Sequence, residues 1–359
     1  MTKIVYNGET DPRLCKDVIG GTVASLVEND PDVIFLDADL MSCSGTLKWS
    51  KTHTDRAIDC GIAEANMAGV AAGLAAAGFK PIIHSFGTFA SRRIYDQIFL
   101  SGGYAKNDIT VIGTDPGVTA TMNGGTHMPF EDVALYNAIP GATVIDASDP
   151  ACLASVLKQC VDRPGIKYIR VGRKQYARIY EDGSDLPIGK AVTLREGTDV
   201  AIFAAGIMLH EAMKAAAALE AQGVSCAVVD CFTIKPIDAD AVEAWAKTCG
   251  AVVVAENANR HGGLYDMILE VLAERCPVPA ACVAVEDEFG EVGTQGYLQE
   301  RFGLTAAHIE AQVKVVLARK YTDKGVPTWI TQKNRSGCTE NGRARSKSSQ
   351  RFPWRPRRT

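Results

Sequence analysis

Short apolar, β-branched runs alternate along the chain with longer amphipathic or alanine-rich segments, a pattern that predicts mainly parallel sheets covered by helices. In the first half, residues 33–37, 81–86, 109–113 and 142–146 read as strands, and 63–77, 88–105, 130–138 and 150–162 as helices. The stretch 180–187 combines turn formers with charge and interrupts the periodicity, which marks a linker. A second block follows, with strands at 200–205, 226–232, 251–256 and 282–286 and helices at 208–221, 238–249, 264–276 and about 305–320. The expected fold is α/β, with two doubly wound domains at 1–180 and 191–320 joined by a linker at 181–190. In such open sheets ligands bind beyond the carboxyl ends of the strands, where strand order reverses. Asp37, Phe86, Thr114, Asp115 and Asp146 fall at or just past those ends.

Composition narrows the class. With 359 residues, 47% apolar and 22% charged, the chain reads as a soluble globular protein of two ordinary domains. It has no apolar run of membrane-spanning length and no charged-then-apolar leader, so cytoplasmic is the default expectation. The eleven cysteines include no Cys-x-x-Cys pair, which argues against metal clusters and redox pairs. Cys152, Cys160, Cys226, Cys231 and Cys249 stand in apolar surroundings and read as small buried hydrophobes.

The net charge of −4 hides an asymmetry: residues 321–359 carry ten Lys/Arg against two Asp/Glu, leaving 28 basic against 40 acidic residues before them. This tail lacks periodicity and is rich in breakers, so it reads as a disordered basic extension. Phosphate contacts and stacking are one use for such a tail. Nothing upstream prepares for nucleic acid, and a non-functional extension is the reading preferred.

The chemistry centres on Glu64. The run that follows it, 68–78, has almost no bulk, so that a backbone or a flat ligand could approach closely. Taken alone, Glu64 could simply favour the positive end of the helix. Its wider setting points elsewhere. The order is Gly61-Ile62-Ala63-Glu64-Ala65-Asn66-Met67, then Ser85-Phe86-Gly87-Thr88-Phe89, Tyr95-Asp96-Gln97, Gly113-Thr114-Asp115-Pro116-Gly117, and Asn123-Gly124-Gly125-Thr126-His127-Met128-Pro129. This series resembles the pyrimidine-binding half of transketolase. In the second block, 230–238, Glu256-Asn257-Ala258-Asn259 with Gly262-Gly263-Leu264, and Phe289-Gly290 ahead of Gly293 resemble the transketolase carboxy-terminal domain.

The resemblance implies thiamine diphosphate, with Glu64 beside the aminopyrimidine, where hydrogen bonding favours the imino tautomer that removes the thiazolium proton. The cofactor supplies the carbanion chemistry and the protein supplies orientation and proton placement. Phe86, Phe89 and Tyr95 are candidates to sandwich the pyrimidine. The usual Phe-x-x-Phe spacing becomes Phe89-Ala90-Ser91-Arg92 here, which leaves the stacking residue open. Arg92 and Arg93 could address the cofactor's surroundings, a partner chain or a surface ion pair. His127 matches the family histidine that bonds substrate oxygens. Asp115 stands where many transketolases have another histidine, Asn123 where they have an aspartate, and Arg173 where an arginine meets the sugar phosphate. No metal site is expected in this chain.

The Gly-Asp-Gly and Asn-Asn segments that hold diphosphate and Mg²⁺ or Ca²⁺ in this family do not occur in the sequence. The expectation is a carboxy-terminal subunit of a split transketolase, completed by an amino-terminal subunit in an α2β2-like heterotetramer acting on sugar phosphates of the pentose phosphate type. A thiamine-dependent 2-oxo acid dehydrogenase beta subunit is the nearest rival, but its usual His-Ser-Gln is replaced by Thr126-His127-Met128. A 1-deoxyxylulose-5-phosphate synthase normally carries both halves on one chain. A non-catalytic protein on the same fold is a further alternative, which intact Glu64 and His127 disfavour.

Overall fold

Twelve strands follow one another along the chain: β1 (Val33–Asp37), β2 (Ala57–Asp59), β3 (Lys80–Phe86), β4 (Ile109–Thr114), β5 (Thr143–Asp146), β6 (Ile166–Val171), β7 (Val192–Arg195), β8 (Val200–Ala204), β9 (Cys226–Asp230), β10 (Thr233–Lys235), β11 (Val252–Asn259) and β12 (Ala280–Val285). The α-helices are α1 (Cys15–Asn29), α2 (Leu47–Ser50), α3 (Glu64–Ala76), α4 (Tyr95–Gln97), α5 (Asp132–Asn137), α6 (Pro150–Val161), α7 (Met208–Glu220), α8 (Ala239–Cys249), α9 (Leu264–Arg275), α10 (Gln295–Arg301) and α11 (Ala306–Lys320). The computed structural model describes residues 2–320; the basic extension expected at 321–359 lies outside the described residues.

The strands form two sheets, as the α/β reading expects. A seven-stranded sheet has the order β10-β5-β6-β4-β3-β1-β2, and a five-stranded one the order β12-β11-β8-β9-β7. Every pairing is parallel except β10 with β5 and β7 with β9. Both β2 and β3 pair with β1, so the chain reverses direction across the sheet there. In an open parallel sheet this switch point, beyond Asp37 and Phe86, is where a ligand crevice is expected.

Local chemistry sets the helix limits. Asp149 accepts the Cys152 amide at 2.7 Å and Pro150 fills the first turn, which starts α6. Asp238 accepts the Ala241 amide at 3.2 Å to start α8, and Gly250, at φ 64°, ends it in the left-handed region. Glu256 reaches from β11 to the start of α9, accepting the Leu264 and Tyr265 amides at 2.8 and 2.9 Å.

The structure differs from the sequence expectation in several elements. The pattern does not predict strand β6, yet it lies inside the first sheet between β4 and β5. The continuous helix expected over 88–105 is replaced by a turn, a 3-10 segment at Arg92–Ile94, the short α4 and a π-helical segment at Ile98–Tyr104. Close packing explains part of this: a methyl on Gly102 would stand 2.8 Å from Ile166 Cδ1. The short edge strand β2 and helices α1 and α10 are likewise absent from the sequence expectation.

The two sheets meet in a buried polar seam. Arg170 on β6 is fully buried and donates to Asp132 (Nε, 2.9 Å), Asp146 (Nη1, 3.0 Å) and the Asn257 carbonyl (Nη2, 2.9 Å). Asn257 accepts the Val118 amide and donates to the Pro116 carbonyl, each at 3.0 Å. Asp230 accepts hydroxyls from Ser148 at 2.8 Å and Tyr180 at 2.7 Å. No helix of the described residues is long and apolar enough to cross a membrane.

Candidate active site

The loop after β2 turns sharply to present Glu64. Asp59 accepts the Gly61 amide at 2.9 Å and the Asp39 amide at 3.0 Å, and Gly61 adopts φ 66°. Glu64 then opens α3 at 3% exposure. Its Oε1 is 2.7 Å from Arg93 Nη1. Arg93 in turn lies over Phe89, with its guanidinium carbon 3.9 Å from the ring centroid.

Phe89 belongs to an aromatic cluster. Its ring centroid is 6.4 Å from that of Phe86 and 5.1 Å from His127, the latter edge-on at 73°. Phe86 and His127 stand 6.1 Å apart. The cluster is held from both sides: the Thr88 hydroxyl donates to the Thr126 carbonyl at 3.3 Å, and Thr126 Oγ1 meets His127 Nδ1 at 2.9 Å. A recess of about 500 Å³ opens here, lined by Thr88, Phe89, Arg92, Arg93, Thr126 and His127. The turn carrying His127 is fixed by contact with the second half, since a methyl on Gly125 would come within 2.2 Å of the Gly290 carbonyl oxygen.

Asp115 and Arg173 form a second group. Arg173 Nη2 lies 2.6 Å and Nε 2.7 Å from Asp115 Oδ2, and the Arg173 amide donates to Oδ1 at 3.1 Å. The same guanidinium meets Cys43 Sγ at 2.9 Å and sits 4.8 Å over Phe86. Asp115 adopts φ 57°, a conformation uncommon outside glycine and found at functional sites. Phe86 therefore touches both groups, with His127 and Phe89 on one side and Arg173 over its face.

The other sequence-selected residues lie differently. Asn123 ends a 3-10 segment, Gly117–Asn123, and is exposed. Tyr95 opens α4 and its ring packs at 5.9 Å on Phe99 rather than within the Phe86, Phe89 and His127 cluster. The broken helix turns Arg93 to Glu64 and Tyr95 toward Phe99.

A buried relay lies under the site and has no counterpart in the sequence expectation. Asp37 Oδ2 is 2.7 Å from His84 Nδ1, and His84 Nε2 is 3.1 Å from Thr114 Oγ1. Asp37 also accepts the Leu40 amide at 2.5 Å and the Ser44 hydroxyl at 3.2 Å. The relay ties the carboxyl ends of β1, β3 and β4 together and holds the crevice rigid. A histidine inside the apolar run of β3 was the signal for it.

Comparisons with known proteins identify the family and agree with the fold. Residues 14–178 match the family described as transketolase, pyrimidine binding domain, and residues 189–309 match transketolase, C-terminal domain. The chain is 47% identical over 305 residues to a 6-deoxy-6-sulfo-D-fructose transketolase subunit of Clostridium sp., covering 85% of this chain and 95% of that protein. It is 30% identical over 291 residues to an apulose-4-phosphate transketolase subunit of Phocaeicola vulgatus, covering 81% and 93%. Among solved structures it is similar to a split gene transketolase described as an inactive beta4 tetramer, with a TM-score of 0.80 and 36% identity over 86% of this chain and 99% of that one.

Proposed function

We propose that this chain, which belongs to the transketolase family, is the pyrimidine-side subunit of a two-chain transketolase moving a two-carbon ketol unit between sugars that carry a terminal anion. The observation that carries the reading is the slot between Glu64 and Phe89. A carboxylate at 3% exposure faces an aromatic wall, and a flat nitrogen-bearing group already bonds the one while stacking on the other. That donor set fits an aminopyrimidine, so the residues suit the thiamine diphosphate that the family implies. When bound, the cofactor supplies the carbon nucleophile for ketol transfer.

The chain's own residues do the rest. Glu64 hydrogen-bonds the pyrimidine side of the cofactor and positions the proton transfer there, a role served by its fixed place at the start of α3. Phe89 and Phe86 orient the ring. His127, at the edge of both, addresses the substrate's hydroxyl and carbonyl oxygens. Arg173 sets the far end of the sugar: Asp115 holds its Nε and Nη2, which leaves Nη1, now on Cys43, as the donor for a phosphate or sulfonate. Sulfonate has equal standing with phosphate, since the Clostridium relative is described for a sulfo sugar and the Phocaeicola relative for a sugar phosphate.

An amino-terminal subunit is proposed to hold the diphosphate and its Mg²⁺ or Ca²⁺, in an α2β2-like assembly. Support comes from the extent of the match, which spans nearly the whole of two relatives described as subunits. The exposed face of α3 supports it too. Val70 is 38% exposed there, Ile62 in the loop just before it is 76% exposed, and methyl groups added at Gly69 or Gly73 would meet nothing within 4 Å.

The test is reconstitution with that partner, followed by assay of ketose phosphates, 6-deoxy-6-sulfo-fructose and 2-oxo acids as donors. Ketol transfer to an aldose is expected only with both chains present. Oxidation or decarboxylation of 2-oxo acids without ketol transfer would replace the proposal by the dehydrogenase reading.

A further inference from the structure

We infer that Arg93 is a built-in surrogate for the aminopyrimidine: it fills the slot between Glu64 and Phe89 and must swing out for the cofactor to enter. The inference rests on the thiamine reading above and adds a step to it.

Shape and mutual exclusion decide the matter. A guanidinium is planar, delocalised and permanently charged, donates in its own plane and stacks on aromatic faces. Arg93 uses both properties at once, with Nη1 2.7 Å from Glu64 Oε1 and Cζ 3.9 Å over Phe89. Because one group reaches both, that face of Phe89 and that oxygen of Glu64 address the same volume. An aminopyrimidine bonded to Glu64 and stacked on Phe89 needs the same face and the same carboxylate. The two occupants cannot coexist.

The neighbouring arginine is used differently. Arg92 Nε lies 2.7 Å from Glu131 and its guanidinium also bonds Thr88, so it stays at the rim. Arg93 is free to leave, because its side chain is 43% exposed while that of Glu64 is 3% exposed. Without an occupant, a carboxylate so buried would be left unpaired at considerable cost. Arg93 removes that cost in the free protein and imposes it on the incoming cofactor. The apparent affinity is then lowered by the fraction of molecules in which the arginine has withdrawn.

Two measurements test this. In the reconstituted two-chain complex, thiamine diphosphate with Mg²⁺ is titrated calorimetrically against wild type, Arg93→Met and Arg93→Lys. The Met variant is expected to bind about tenfold more tightly than wild type, with Lys between them. Equal or weaker binding by the Met variant would overturn the inference, because Arg93 would then support the cofactor rather than exclude it. In the full-length chain without partner or cofactor, the Arg93 side-chain protons should resonate upfield in the ring current of Phe89 and lose that shift in Phe89→Leu. An unshifted Arg93 would show that the slot is not self-occupied and sink the inference on its own. If the upfield shift is present but neither wild type nor variant binds thiamine diphosphate, the thiamine reading fails and the competition proposed here fails with it.

Discussion

At the scale of single residues, Glu64 heads a chain of contacts: Arg93 on its carboxylate, Phe89 beneath Arg93, His127 at the edge of Phe89. Replacing Glu64 by Gln keeps the size and one acceptor but removes the proton chemistry. The expected outcome is a loss of about 10²–10⁴-fold in kcat for ketol transfer, with the assembly unchanged by light scattering. Turnover within a few-fold of wild type would take Glu64 out of the reaction. Glu64, Phe86, Phe89 and His127 were legible in the sequence because the order and spacing of their motifs carry the resemblance. The role of Arg93 was not, since its pairing with a residue 29 positions earlier depends on how the chain bends at Arg92–Ile94. The Asp115 and Arg173 pair was legible as two separate candidates and not as partners, because the contact needs the ends of β4 and β6 side by side.

At the scale of elements, the same cause explains the largest omission. Strand β6 reads Ile-Lys-Tyr-Ile-Arg-Val, and two long cations interrupt what would otherwise be a buried apolar run. Both are buried, Arg170 at 0% and Lys167 at 1% exposure, so the strand is central in spite of its composition. For Arg170 the tertiary partners Asp132, Asp146 and the Asn257 carbonyl make this tolerable. Arg170→Met should therefore lower unfolding stability by about 3–5 kcal/mol, read from the urea midpoint, because two buried carboxylates lose their cation. A loss below about 1 kcal/mol would mean that the carboxylates are protonated and satisfied without it. Helix α3 offers an opposite case. Gly69→Ala and Gly73→Ala meet no neighbour within 4 Å among the described residues, so each should stabilise the free chain by about 0.5–1 kcal/mol. If the exposed face of α3 packs against the partner, the same changes should weaken assembly in a sedimentation titration. Stabilisation without weaker assembly would place the partner on another face.

At the scale of the molecule, the seam between the sheets collects carboxylates that burial pushes upward. Asp230 and Glu256 are each raised to about 7, and Asp146 to about 6 in spite of Arg170 beside it. In the unfolded chain such groups titrate near about 4. Between about pH 4 and 7 the native protein therefore holds protons that the unfolded chain has released, and these groups make stability fall as pH rises through that window. The thermal midpoint should be higher at pH 5 than at pH 7.5. Glu256→Gln should lower both midpoints, through the amide of α9 it leaves unsatisfied, and narrow the difference between them. A difference that the substitution does not narrow would remove Glu256 as a source.

The matches to the two family domains end at residue 178 and begin again at residue 189, which suggests a place where the gene could be divided. The backbone argues otherwise. Strand β10, from beyond that point, closes the edge of the first sheet by pairing with β5. A product ending between the two matches would carry Thr143–Asp146 as an open edge, able to recruit strands from other molecules. Evolutionary or engineered fission at this position would thus yield an aggregating fragment, and the two halves form one inheritable unit.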